Sequence, residues 1–227
     1  MRRRTECALV GLALALLVLG GSVRMLTAPF VTTALVDHAG SAQFTGLGPT
    51  ATHELAQQVR AYVTGANAGP LPESVGGRAG FSADAVAHLD DVRTVLRLAG
   101  WVTLALAAAV AAWVASRLRG GRRDLVARAM RFGAAWSTGL TGLAALVAAV
   151  DFDRFFAGFH ALFFEAGTWQ FPAADLLIQL FPEAFWSAAG VAWGALVVAG
   201  ALALALGARA VGNDVEQGSS AGSVSDE

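Results

Sequence analysis

"LAGWVTLALAAAVAAWVAS", residues 98–116, contains no charged side chain from end to end. A helix needs roughly 20 predominantly apolar residues to cross the hydrocarbon of a bilayer. This segment supplies them, and a dense run of arginines follows at once: Arg117, Arg119, Arg122, Arg123, Arg128 and Arg131. Three further segments have the same character. They are "CALVGLALALLVLGGSV" from Cys7, "FGAAWSTGLTGLAALVAAV" from Phe132 and "WSAAGVAWGALVVAGALALALG" from Trp186. The whole chain is 56% hydrophobic, with a mean hydropathy of +0.56, too apolar for an ordinary soluble domain. The segments from Leu98 and Phe132 are rich in Ala and Gly, which lets helices approach closely in lipid. The fold class is therefore an all-α integral membrane protein. It has four transmembrane helices and a small extracytoplasmic cap of helices with a short strand.

The arginines set the expected orientation, because the chain has no lysine. Short basic loops stay cytoplasmic, and Arg2, Arg3 and Arg4 precede the first span. The chain then divides as follows. Residues 1–24 are a cytoplasmic N-terminus and the first span, and 25–97 an extracytoplasmic segment. Residues 98–116 are the second span, 117–131 a basic cytoplasmic loop and 132–150 the third span. An extracytoplasmic Phe/His segment, 151–185, precedes the fourth span, 186–208. The polar, Ser/Gly-rich stretch 209–227 reads as a disordered cytoplasmic tail. The basic start and first apolar run could be taken for a signal peptide. The run is long, however, and no A-x-A site follows it, so it reads as a retained anchor. The net charge of −1 gives no reason to expect nucleic acid, and topology accounts for the basic loop. Cys7 is the only cysteine. It can form no internal disulfide and reads as a small apolar residue.

Each outside segment has local structure. "LTAPFVTTALVDH", 26–38, begins with β-branched residues and suggests a short strand. "THELAQQVRAYVTG", from Thr52, reads as a helix, with Leu55, Val59, Tyr62 and Val63 at helical spacing. The glycines and prolines of 65–80 make a loop. Ser82 is an N-cap candidate and Asp84 suits the first turn of a helix. That helix meets no breaker before Leu98 and should run straight into the second span. In the second outside segment, Phe152, Phe155, Phe156, Phe159, Phe163 and Phe164 recur near a 3.6-residue period and predict one helix face. Trp169 and Phe171 follow as interface anchors.

His160 falls on that phenylalanine face, and His88 lies on the helix that enters the second span. Each has a bland reading. His160 could be a neutral ring packed in a core, and His88 a solvated residue beside Asp84 or Asp91. The chain has four histidines, and these two share one expected side of the membrane, each near a helix–span junction. Two imidazoles in one apolar cleft could divide acid and base roles near neutral pH. No H-x-x-x-H or H-E-x-x-H spacing suggests a metal. No G-x-S-x-G appears either, so any nucleophile would belong to the substrate. No cofactor is expected.

Two stretches, "FSADAVAHLDDVRTVL" and "FDRFFAGFHALFFEAGTWQFPAADLLIQLFPEAFW", resemble the signatures of the lipoprotein intramolecular transacylase family of small bacterial four-span membrane proteins. His-x-x-Asp-Val falls on His88, Asp91 and Val92, followed by Arg93. Phe-His-x-x-Phe-Phe falls on Phe159, His160, Phe163 and Phe164. Trp169, Pro172, Asp175, Leu177, Ile178, Pro182 and Phe185 complete the pattern. The resemblance implies a bacterial plasma-membrane acyltransferase with its active site at the extracytoplasmic interface. It moves the sn-2 acyl chain of a diacylglyceryl-cysteine lipoprotein to the α-amino group of that cysteine, giving lyso-form lipoprotein. His88 and His160 would be catalytic, with Asp91 and Arg93 supporting them. Phe156, Phe159, Phe163, Phe164 and Trp169 would line the acyl chains. Its partners are the diacylglyceryl-modified lipoprotein and membrane lipid, with no nucleic acid. The competing readings are a membrane accessory or transport protein without enzymatic activity, and an acyltransferase or lipase acting on phospholipid. Against transport, the spans carry almost no ionisable residue to mark a pathway.

Overall fold

The computed structural model describes residues 2–66 and 69–222. Among them, four helices are long and apolar enough to span a membrane: α1 (Arg2–Leu26), α5 (Ala83–Arg119), α6 (Arg123–Val150) and α9 (Glu183–Gly222). The protein is thus a multi-pass membrane protein. The remaining elements are α2 (Pro29–His38), α3 (Ser41–Thr45), α4 (Pro49–Thr64), β1 (Ser74–Val75), β2 (Arg78–Ala79), α7 (Phe152–Ala161) and α8 (Leu176–Leu180). The chain forms two compact units, one of residues 1–22, 102–145 and 194–227 and the other of residues 23–101 and 146–193.

The described residues of the first unit are helical apart from the turn at 120–122. Its outward faces are apolar: Leu104 and Leu206 are each about 60% exposed, a surface that only lipid would cover favourably. Close approach replaces large-residue interdigitation inside it. A Cβ on Gly11 would stand 2.4 Å from Phe132 Cβ. Cys7 is fully buried, its thiol 3.7 Å from the Leu125 carbonyl oxygen. Glu6 accepts hydrogen bonds from the Trp113 indole and from the Arg117 guanidinium.

The second unit has its own core. Leu35 and Val36 of α2 pack with Leu55, Ala56 and Val59 of α4, Ala85 and Leu89 of α5, and Leu176, Leu177 and Leu180 of α8. Two polar side chains fix the helix starts within it. Ser82 caps α5 by accepting from the Ala85 amide at 3.1 Å, and Asp175 caps α8 by accepting from the Leu177 amide at 2.8 Å. The Ser82 hydroxyl also donates to Asp175 at 2.7 Å. One contact thereby sets the start of α5, and with it the position of His88, against α8. The antiparallel pair β1–β2 closes the 65–80 loop. There the Gly80 amide donates to the Glu73 carbonyl at 2.8 Å, and a Cβ would meet the Pro72 carbonyl oxygen at 2.0 Å.

The helices expected over 52–65 and from Ser82 into the second span are present, the latter unbroken to Arg119. Three local expectations are corrected. Residues 26–38 hold no strand. Pro29 opens α2 after an extended Ala28, and Thr32, Leu35 and Val36 turn to the core at helical spacing. Burial of that face outweighs the weak β preference of Val31, Thr32 and Thr33. The basic loop shrinks to residues 120–122. Leu125, Val126 and Ala129 give the following residues a buried helical face, so α6 starts at Arg123. Phe163 and Phe164 lie beyond α7, in a turn whose amides both bond the His160 carbonyl. α9 runs to Gly222. Residues 223–227 of the tail expected over 209–227 lie outside the described residues.

Candidate active site

Both singled-out histidines belong to the second unit, and it brings them together. His88 comes from the second turn of α5 and His160 from the last turn of α7. Their rings stack with centroids 6.1 Å apart and planes 27° apart. Each is 8% exposed, so His88 is not the solvated residue that its neighbouring aspartates suggested.

The surroundings are aromatic. His160 packs against Phe156 at 4.1 Å, Trp169 at 4.7 Å, Phe159 at 5.5 Å and Phe164 at 5.7 Å. His88 meets Phe164 edge-on at 4.8 Å and Phe171 at 5.6 Å. Phe164 therefore touches both rings. Phe159 and Phe163 are about half exposed and present apolar surface outward from the pair. Phe171 had signalled only an interface anchor. It reaches His88 because the 164–175 segment folds back to α5, which no sequence periodicity reveals.

The hydrogen bonds assign protons. His160 Nδ1 lies 2.8 Å from the Phe156 carbonyl oxygen. A carbonyl only accepts, so Nδ1 carries hydrogen and the neutral ring keeps its lone pair on Nε2. Burial holds the His160 pKa below its ordinary value of 6.5, and the Phe156 carbonyl acts in the opposite direction. His88 Nδ1 and Trp169 Nε1 are fully buried with no hydrogen-bond partner among the described residues. Such atoms cost about 1–3 kcal/mol each and concentrate at functional sites. Two positive rings at this separation in an apolar cage would repel strongly, so the pair is suited to hold one proton between them.

Asp91 and Arg93 lie on α5 beyond His88. Asp91 is exposed one turn along α5 and makes no hydrogen bond to His88. The Arg93 guanidinium lies 5.5 Å from the Tyr62 ring centre, and Tyr62 donates to Asp90 at 2.6 Å. The site predicts a titration. Observed by carbon NMR of labelled histidine and assigned by its loss in His160→Gln, the His160 ring should titrate with a midpoint below 6.5. Because the unfolded ring takes up its proton near 6.5 and the folded one does not, stability contributed here falls as pH drops below 6.5. A midpoint above 6.5 would mean that the aromatic cage does not exclude water.

Comparison with known proteins adds identity to this geometry. Solved structures share the fold. The membrane integral lipoprotein intramolecular transacylase Lit from Bacillus cereus superposes with a TM-score of 0.82 at 16% sequence identity, covering 95% of this chain and 98% of that one. A structure of the same protein with a histidine replaced by arginine gives 0.77 at 16% identity, covering 96% of this chain and 95% of that one. Another, with a histidine replaced by alanine, also gives 0.77 at 16%, covering 95% and 96%. Among curated proteins none matches. The family model described as lipoprotein intramolecular transacylase Lit matches residues 8–186, a span that holds both histidines and their aromatic cage. The chain belongs to the lipoprotein intramolecular transacylase family and is a membrane acyltransferase.

Proposed function

We propose that the protein moves the sn-2 acyl chain of a diacylglyceryl-cysteine lipoprotein onto the α-amino group of the same cysteine, leaving a lyso-form lipoprotein. The observation that carries this reading is the stacked, caged pair of His88 and His160 in a chain of this family. The substrate brings both nucleophile and ester. The enzyme must move two protons and stabilise an oxyanion.

The steps balance over the pair. Burial, and for His88 the neighbouring His160, hold both ring pKa values below 6.5, so both begin neutral, and the substrate's ammonium becomes an amine by giving its first proton to His88. As the substrate amine bonds to the sn-2 carbonyl carbon, it gives a proton to His160 Nε2, the atom left free by the Phe156 hydrogen bond. The bond from that carbon to the glycerol oxygen then breaks, and the oxygen takes the proton of His88. The pair ends with one proton on His160, and its release to solvent returns both rings to neutral. Asp91 favours the protonated form of His88 through space, and Arg93 contacts lipid phosphate. Phe156, Phe159, Phe163, Phe164 and Trp169 form the wall that seats the acyl chains. Holding amine and ester of one molecule together can contribute much of the rate.

The distribution of arginines supports an orientation with both termini in the cytoplasm and the site at the outer face of a bacterial plasma membrane. A thiol reagent that cannot cross the membrane should label Gly69→Cys in intact cells, in a Cys7→Ala background. Labelling only after the membrane is breached would reverse the orientation. The reaction itself is tested with purified protein and a synthetic diacylglyceryl-cysteinyl peptide. Mass spectrometry should find the N-acyl, monoacylglyceryl product. Release of free fatty acid with the amine unmodified would make the protein a lipase instead.

A further inference from the structure

Beside the histidine pair, the same unit holds an open cleft of about 420 Å³ lined by Asp91, Thr94, Val95, Phe163, Phe164, Glu165 and Thr168. Its walls differ in chemistry: two carboxylates and two hydroxyls face phenylalanine and valine. Phe164 is shared with the reaction site, since its ring also touches His88 and His160. His88, one turn before Asp91 on α5, is more than nine-tenths buried, and its Nδ1 has no partner among the described residues. The cleft thus shares the Phe164 ring with His88.

The cleft's charge is also uncompensated. Among the described residues, neither Asp91 nor Glu165 makes an ion pair. The nearby cation Arg93 lies over Tyr62, and Tyr62 holds the neighbouring Asp90. A cation entering the cleft would therefore meet carboxylates that no protein group has neutralised. The proposed substrate carries such a cation. An α-amino group has an ordinary pKa of about 7.7–8.0, so it arrives largely as ammonium near neutral pH. Its acyl chains demand an apolar wall on one side, and its peptide must leave on a polar side.

From this we infer that the cleft is the subsite for the substrate's cationic N-terminus, with Glu165 as a positioning residue that works together with Asp91. The inference rests on the transacylase reading and names how the same site orders its substrate. The ammonium docks against the carboxylates, the acyl chains lie on Phe159 and Phe163, and the amine is held beside the histidines that deprotonate it. Glu165 binds and orients without taking part in proton transfer.

The test uses the full chain in lipid nanodiscs with the diacylglyceryl-cysteinyl peptide. Because both carboxylates are exposed, the pairing is moderate, and Glu165→Gln should raise KM about three- to tenfold with kcat within about twofold. Glu165→Asp should restore part of the loss. Added salt should raise KM in the wild type and much less in Glu165→Gln. Glu73→Gln, in the other cleft of similar size at Glu73, Arg78 and Asp175, should change neither. If the wild type converts the peptide and Glu165→Gln shows the same KM and salt dependence, the subsite is wrong and the transacylase reading stands. If the wild type fails to convert the peptide at all, the reading beneath the subsite falls with it.

Discussion

His160→Ala should leave a folded protein in the membrane that converts diacylglyceryl-cysteinyl peptide about 10²–10⁴-fold more slowly, the usual cost of losing a general acid–base group. The size of the effect follows from where the ring sits. Its Nδ1 is committed to the Phe156 carbonyl, so its chemistry is concentrated at Nε2. The cage of Phe156, Trp169 and Phe164 lowers the local dielectric, favours the neutral form that can accept a proton, and strengthens hydrogen bonds made there. Packing loss is separated from chemical loss by His160→Phe, which keeps a ring in the cage and should be as inactive as the alanine variant. Near wild-type conversion by either variant, at equal protein level, would make His160 a packed core residue and nothing more.

His88→Ala should fail to a similar degree, and the double variant His88→Ala/His160→Ala should be little slower than either single one. Groups that act as a unit lose their joint contribution when one is removed. Rings stacked at 6.1 Å and serving the two proton transfers of one acyl transfer are such a unit. His88→Phe retains contact with Phe164 and Phe171 and isolates the loss of the proton. Multiplicative losses in the double variant would show that the two histidines act in separate steps or separate places.

Much of this could be read from the chain, for identifiable reasons. Charge-free apolar runs such as 98–116 announce spans, because nothing else tolerates them. The continuity of α5 from Ala83 to Arg119 was legible because no glycine–proline break separates Ser82 from Leu98. The helical period of Phe152, Phe156 and Phe159 placed His160 on the correct face. Less legible was anything set by contacts distant in sequence. The 26–38 segment resembles a strand locally and becomes α2 because Leu35 and Val36 find α4. Arg123 to Arg131 looked like a loop because their arginines hide Leu125 and Ala129, which pack with Cys7. The burial of His88 depends on Phe164 and Phe171, which a turn and an extended segment deliver from elsewhere. Phe163 and Phe164 keep helical spacing in the sequence while leaving the helix at Ala161, so their placement could not come from periodicity. Glu165 and Thr168 drew no attention, because a cleft is a property of the folded chain.

In the proposed reaction acyl transfer is confined to one substrate molecule held at the histidine pair, and a crossover experiment tests that confinement. Two diacylglyceryl-cysteinyl peptides of different sequence are mixed, one bearing a deuterated sn-2 chain and the other an ordinary one, and the N-acylated products are weighed by mass spectrometry. Each peptide should keep its own chain, the deuterated label appearing only on the amine of the peptide that began with it, and both products should form about 10²–10⁴-fold more slowly in His160→Ala. Label scrambled between the two peptides, or transfer at near wild-type rate without His160, would overturn this mechanism.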